Sequence, residues 1–191
     1  MNTIRAFFAI TPPETLQAGL HSVLETLETT FPKNCLKWID VSDLHITLQF
    51  LSEVYQNELA KLVNKANVAL KNIPPFKLEL GEVEWFPSLE NPKILSLDVN
   101  PQDTLREIAT SLGQALSALN YPVESRLFRG HMSLAKARRH HHVPYGLITK
   151  IKIPPIPPVL INKVRLIESK PNPGGGRSYH NVAEFNLTKS I

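Results

Sequence analysis

The stretch 41-VSDLHITLQFL-51 sets a histidine and a threonine two residues apart inside an otherwise apolar run. The segment 128-FRGHMSLAKA-137 repeats the arrangement with His131 and Ser133. Successive side chains of a strand point to opposite faces. The first alternation therefore predicts that His45, Thr47 and Gln49 share one face, while Leu44, Ile46, Leu48 and Phe50 take the buried one. In the second, His131, Ser133 and Ala135 share a face, Met132 and Leu134 turn to the core, and Lys136 marks the approach to solvent. Either histidine alone reads as surface or as a hydrogen-bonded structural residue. The same local pattern twice, 131 − 45 = 86 residues apart, points instead to two similar lobes facing each other across a cleft. That separation is too long for a solenoid repeat.

Two imidazoles, each with a hydroxyl beside it, suit one kind of chemistry. Histidine titrates near neutral pH, so a neutral imidazole takes a proton while a charged one gives a proton back. Opening a cyclic phosphodiester needs both acts: water is deprotonated as it attacks phosphorus, and the departing ribose oxygen is protonated. The hydroxyls of Thr47 and Ser133 are placed to donate to non-bridging phosphate oxygens, where charge builds. This scheme calls for no metal and no cofactor.

Outward from these segments, three stretches have helical periodicity. They are 13-PETLQAGLHSVLETLE-28, 57-NELAKLVNKANVALKNI-73 and 103-DTLREIATSLGQALSALN-120, with Asp103 expected to cap the third. Strand-like runs lie between them: TIRAFFAI, LKWI, LHITLQFL, FKLELGEVEWF, KILSLDV, ESRLF, HMSLAKA, VLINKVRLIES and VAEFNL. Strands and helices mixed without a strict βαβ rhythm indicate an α+β fold with antiparallel sheets. Prolines 154, 155, 157 and 158 describe an extended connector, and Gly174, Gly175 and Gly176 a flexible turn, since no Lys-Ser/Thr follows as in a phosphate-binding loop.

The chain's 191 residues fit one domain, residues 1–191, of two interwoven lobes. The charge of 21 − 17 = +4 suits an anionic partner such as RNA without demanding one. A single cysteine, Cys35, excludes an internal disulfide and a cysteine-rich metal site, and reads as packing. The opening apolar run, Ala6 to Ile10, is too short for a signal-peptide core or a membrane span, so the expectation is a cytoplasmic monomer.

At the two histidine segments the chain resembles the 2H phosphoesterase superfamily, and within it the bacterial RNA 2′,3′-cyclic phosphodiesterases, also called 2′-5′ RNA ligase-like proteins. IRAFFAITPPE, KWIDVSDLHITLQFLSEV, FPSLENPKILSLDV, FRGHMSLAKAR and VRLIESKPNPGGGRSYHNVAEFNL carry the likeness almost end to end. The resemblance implies a bilobal, pseudo-two-fold α+β fold around a basic groove. It also implies hydrolysis of a terminal 2′,3′-cyclic phosphate to a 2′-phosphate on RNA ends, tRNA fragments or small cyclic nucleotides. His45 would be the general acid, His131 the base, and Thr47 and Ser133 the phosphate-binding hydroxyls. Three positions depart from the pattern. Ser52 replaces a glycine in a turn, Gly130 replaces a proline and is expected to loosen the lead-in to His131, and Lys136 stands where arginine is usual. Lysine keeps the charge but loses the planar bidentate grip.

Further contacts to RNA are expected from Lys136, Arg138, Arg177 and Tyr179, with Arg139 in the same basic run. Trp38 and Phe7 are stacking candidates with core packing the safer reading. His21, His180 and the run His140, His141 and His142 read as structural or solvated. Rival readings are a 2′-5′ ligase of tRNA halves, an RNA-end binding module of weak catalysis, and, last, a zinc hydrolase.

Overall fold

The computed structural model describes residues 2–124 and 126–188. Strands β1 (Thr3–Ile10), β2 (Leu36–Trp38), β3 (Ile46–Tyr55), β4 (Phe76–Phe86), β5 (Ile94–Asn100), β6 (His131–Ala137), β7 (Val159–Ile161), β8 (Lys163–Pro171) and β9 (Arg177–Asn186) join in one sheet. Helices α1 (Gln17–Thr30), α2 (Leu59–Leu70) and α3 (Gln102–Ser117) pack on it. The strand order is β7-β4-β5-β6-β3-β1-β8-β9, with β2 added against β6, and every pairing is antiparallel.

Apart from β2, the sheet divides at the β6–β3 contact into two runs of four strands, and each run repeats one plan. In one, β1 leads through α1 to β3; in the other, β5 leads through α3 to β6. The chain is thus α+β, bilobal and pseudo-symmetric. One residue, Asn162, separates β7 from β8, which hold the first and seventh places in the strand order. A sheet whose seventh strand begins beside its first has to curl.

Alternation in β1 shows how the two faces are used. Ala6, Phe8 and Ile10 join Leu20, Val23, Leu24 and Leu27 of α1 in the main core, while Phe7 and Ala9 form a small second cluster with Ile167 on the other face. The apolar stripe of α3, Leu105, Ile108, Leu112 and Leu116, reaches the same main core. Full burial of each such side chain contributes on the order of 1.5–3 kcal/mol, which holds helices and sheet together. Among the described residues no helix is long and apolar enough to cross a membrane.

Several expectations need correction. Glu124 and Arg126–Phe128 form no strand, and Ser125 lies outside the described residues. The run from Val159 splits at Asn162 because its two parts pair with different neighbours, β4 and β1. Asp103 does not cap α3; it sits in the first turn, bonded to Arg106 at 2.7 Å. The glycine loop is narrower than expected, since Ser169–Pro171 and Arg177–His180 continue β8 and β9. Only the turn between them is left, with Gly175 and Gly176 at positive φ of 89° and 84°.

The strict alternation expected of the histidine strands also fails, for a common reason. A bulge in β3 follows Thr47, so both Leu48 and Gln49 turn to the helix side, where Gln49 donates to the Ala109 carbonyl at 2.9 Å. A bulge in β6 follows Ser133, so Leu134 and Ala135 are both fully buried. An extra residue shifts the period-two phase. Phe50 and Lys136 therefore return to the face of the histidines, where strict alternation places Gln49 and Ala135.

Candidate active site

His45 stands at the mouth of β3. The turn before it, Val41–Asp43, is capped by Asp40, whose side chain accepts from the Ser42 amide at 2.9 Å. Leu44 and Ile46, 2% and 0% exposed, anchor the backbone on either side of the imidazole. His131 opens β6, and Met132 beside it is fully buried. Its lead-in is held rather than loosened. The Gly130 amide donates to Gln102 Oε1 at 2.9 Å, and Gln102 Nε2 donates back to the Gly130 carbonyl at 2.9 Å. The reciprocal amide clamp does the work expected of a proline.

Register brings the two motifs together. Ile46 of β3 pairs with Met132 of β6 in antiparallel sense, and each is the residue after its histidine. The local two-fold axis passes between this pair. Continued by one residue each way, that register sets His45 opposite Ser133 and Thr47 opposite His131. All four side chains lie on the face away from Ile46 and Met132. The proximity is felt electrostatically, since charge on His45 disfavours charge on His131.

The histidines are also oriented alike. Nδ1 of His45 lies 2.7 Å from the Asp43 carbonyl, and Nδ1 of His131 lies 3.3 Å from the Arg129 carbonyl. A carbonyl only accepts, so each Nδ1 carries the proton and each Nε2 is left free for the site. An aromatic wall backs each ring. Phe7 lies 4.7 Å from His45, with Tyr179 edge-on at 5.5 Å, and Phe86 stacks on His131 at 3.7 Å and 18°. Burial is the main cause that lowers both histidines below their usual range, against the opposing pull of their carbonyl partners. Lys136 lowers His45 a little further, and burial raises Asp43 and Tyr179.

The remaining candidates divide. Lys136 is exposed on the histidine face, and Tyr179, a β9 residue rather than a loop residue, reaches His45. Arg177 is bonded to the hydroxyl and carbonyl of Ser169, and Arg138 donates through Nε to the Leu36 carbonyl at 3.2 Å. Trp38 packs edge-on against Phe31, and Phe7 is buried. His21 pairs with Glu25, His180 with Ser178, and His140, His141 and His142 are exposed. Among the described residues no three His, Cys, Asp or Glu side chains gather in a metal-binding group. Phe86 and Arg129, which contact His131 and, in the case of Arg129, Glu84, escape a reading of the sequence alone. Their one signal is that each abuts a recognisable element, Phe86 ending β4 and Arg129 standing two residues before His131.

Two symmetric strands that present histidine and hydroxyl on one face of a curled antiparallel sheet define a 2H phosphoesterase. The model of the 2′-5′ RNA ligase superfamily matches residues 12–172, and the chain belongs to that family. An RNA 2′,3′-cyclic phosphodiesterase of Bacillus subtilis (strain 168) is 30% identical over 100 residues, 52% of this chain and 55% of that protein. One from Aquifex aeolicus is 23% identical over 98% of this chain and 99% of that protein. Among solved structures, TT0787 of Thermus thermophilus is similar with a TM-score of 0.74 at 24% identity, covering 98% of this chain and 100% of that one. E. coli LigT complexed with 3′-AMP gives a TM-score of 0.78 at 22% identity, again over 98% and 100%.

Proposed function

We propose that this protein hydrolyses terminal 2′,3′-cyclic phosphates of RNA to 2′-phosphates, without a metal, by two-histidine acid–base catalysis. The observation that carries this reading is the antiparallel Ile46–Met132 pair, which gives His45 and His131 a common face with their Nε2 atoms free. The names of the relatives support the same substrate class. Neutral His131 takes a proton from water, whose oxygen bonds to phosphorus. The bond from phosphorus to O3′ breaks, and protonated His45 gives its proton to the departing oxygen. Thr47 and Ser133 donate hydrogen bonds to the non-bridging oxygens, with Lys136 adding positive charge nearby. The products are a 3′-hydroxyl and a 2′-phosphate. In this reading the enzyme acts as a cytoplasmic monomer on RNA ends, tRNA fragments among them.

His45→Ala and His131→Ala are each expected to lose on the order of 10²–10⁴-fold in turnover of a 2′,3′-cyclic nucleotide, while excess chelator leaves the native rate intact. Full activity in either variant overturns the reading, and tight binding of cyclic-phosphate RNA without turnover replaces it with a binding module. The family's name favours a second reading, 2′-5′ ligation by the same groups run in reverse. Assays on ligatable RNA halves separate the two directions.

A further inference from the structure

Phe50 occupies a place that the catalytic scheme leaves unused. It is 43% exposed although it sits in the middle of a strand, and among the described residues only Phe50 and Tyr55 are exposed large aromatic side chains. The bulge after Thr47 turns it onto the histidine face. There it is the direct cross-strand partner of Phe7, whose own ring lies 4.7 Å from His45. Direct partners on antiparallel strands share a face. The Arg5 guanidinium lies 4.5 Å over the Phe50 ring, and its charge is felt by Tyr179, which meets His45 edge-on. Phe7 thus ties the His45 imidazole and the Tyr179 ring to the strand position that carries Phe50, all on one face of the sheet. Three residues of strand separate Thr47 from Phe50, about 10 Å at most by the usual rise.

The two-fold axis sharpens the contrast. Position 45 + 5 is Phe50 and position 131 + 5 is Lys136, so equivalent places beyond the two motifs carry an aromatic ring and a cation. Lys136 suits a phosphate. An exposed ring with an arginine over it suits a nucleobase, because every base offers a flat face for stacking and arginine adds its own planar contact. Resting on the function proposed above, we infer that Phe50 and Arg5 form a stacking subsite for a base upstream of the cyclic end. The preferred substrate class is then an RNA strand with a 2′,3′-cyclic terminus rather than a free cyclic mononucleotide. The net charge of +4 agrees with a polyanionic ligand.

The test compares steady-state kinetics on 2′,3′-cyclic AMP and on a short oligoribonucleotide ending in a cyclic phosphate, for the native chain, Phe50→Ala and Phe50→Trp. In Phe50→Ala the ratio of kcat/KM, oligonucleotide over mononucleotide, is expected to fall about 5- to 150-fold, the ~1–3 kcal/mol of one stacked base at 1.36 kcal/mol per tenfold. The loss should lie in KM, and Phe50→Trp should restore the ratio. An unchanged ratio, whether both substrates suffer equally or neither does, overturns the subsite. If the native chain turns over neither substrate, the proposed function fails instead. Binding of a fluorescent oligoribonucleotide to the native chain and to Phe50→Ala then still reads the subsite directly: weaker binding by the variant supports it, equal binding refutes it.

Discussion

Replacement of Phe86 by leucine probes how the fold prepares His131. The Phe86 ring lies 3.7 Å from the imidazole at 18°, close to parallel, and burial is the leading cause of the lowered His131 pKa. Leucine keeps most of the bulk at the end of β4 but removes the flat surface. An aromatic pair of this kind contributes about 0.5–1.5 kcal/mol beyond its buried area. If that energy holds the imidazole in its working orientation, Phe86→Leu lowers kcat/KM by about 2- to 13-fold at 1.36 kcal/mol per tenfold. Water admitted beside the ring favours the charged form, so the His131 pKa should rise toward its usual 6.5. Both effects are measurable: the first by cyclic-nucleotide kinetics, the second by following the imidazole carbon-bound protons in an NMR titration. An unmoved or lower midpoint, together with native kinetics, would refute the reasoning that Phe86 shields and orients this histidine.

Other outcomes follow from the same geometry. Because both histidines are lowered from 6.5, the bell-shaped profile of kcat/KM, which reports the free enzyme, should peak on the acid side of 6.5; a peak above pH 7 would contradict the shifts. The unfolded chain binds more protons than the folded one as pH falls through 6.5, so stability is complete above that value and declines below it. The midpoint of thermal unfolding should accordingly be lower at pH 5 than at pH 7.5, and a His45→Ala, His131→Ala double variant should flatten that slope. Gly130→Pro, the residue expected at this position, should destabilise rather than stiffen. It deletes the amide that donates to Gln102, and a Cβ there would lie 2.9 Å from Leu105 Cδ1. A loss of about 1–3 kcal/mol is expected in denaturant unfolding, and a gain would refute the clamp.

Much of this molecule is legible in its sequence because local pattern and tertiary role agree. TIRAFFAI, FKLELGEVEWF and HMSLAKA fold as strands over the very residues expected, and the three apolar stripes become α1, α2 and α3. The histidine pair is legible because the motif occurs twice and each copy alternates cleanly up to its hydroxyl. Legibility ends at the bulges. An inserted residue after Thr47 or Ser133 has no local sequence signature, yet it reverses the facing of everything beyond it, which is why alternation misplaces Gln49, Phe50 and Ala135. Partners that only the tertiary fold brings together, such as Phe86 on His131 or Gln102 on Gly130, are likewise invisible in the sequence. Arginines face the opposite difficulty. Their charge is evident in the sequence, but the structure shows Arg138 and Arg177 engaged with the Leu36 carbonyl and Ser169.

The sharpest single measurement is a crystal structure with a phosphate transition-state mimic such as vanadate bound to the native chain. A two-histidine mechanism requires Nε2 of His45 and Nε2 of His131 each to lie within hydrogen-bond reach, about 2.6–3.2 Å, of oxygens on one central atom, with the Thr47 and Ser133 hydroxyls on its other oxygens. A mimic touching one imidazole only, or seated away from the β3–β6 junction, would contradict it.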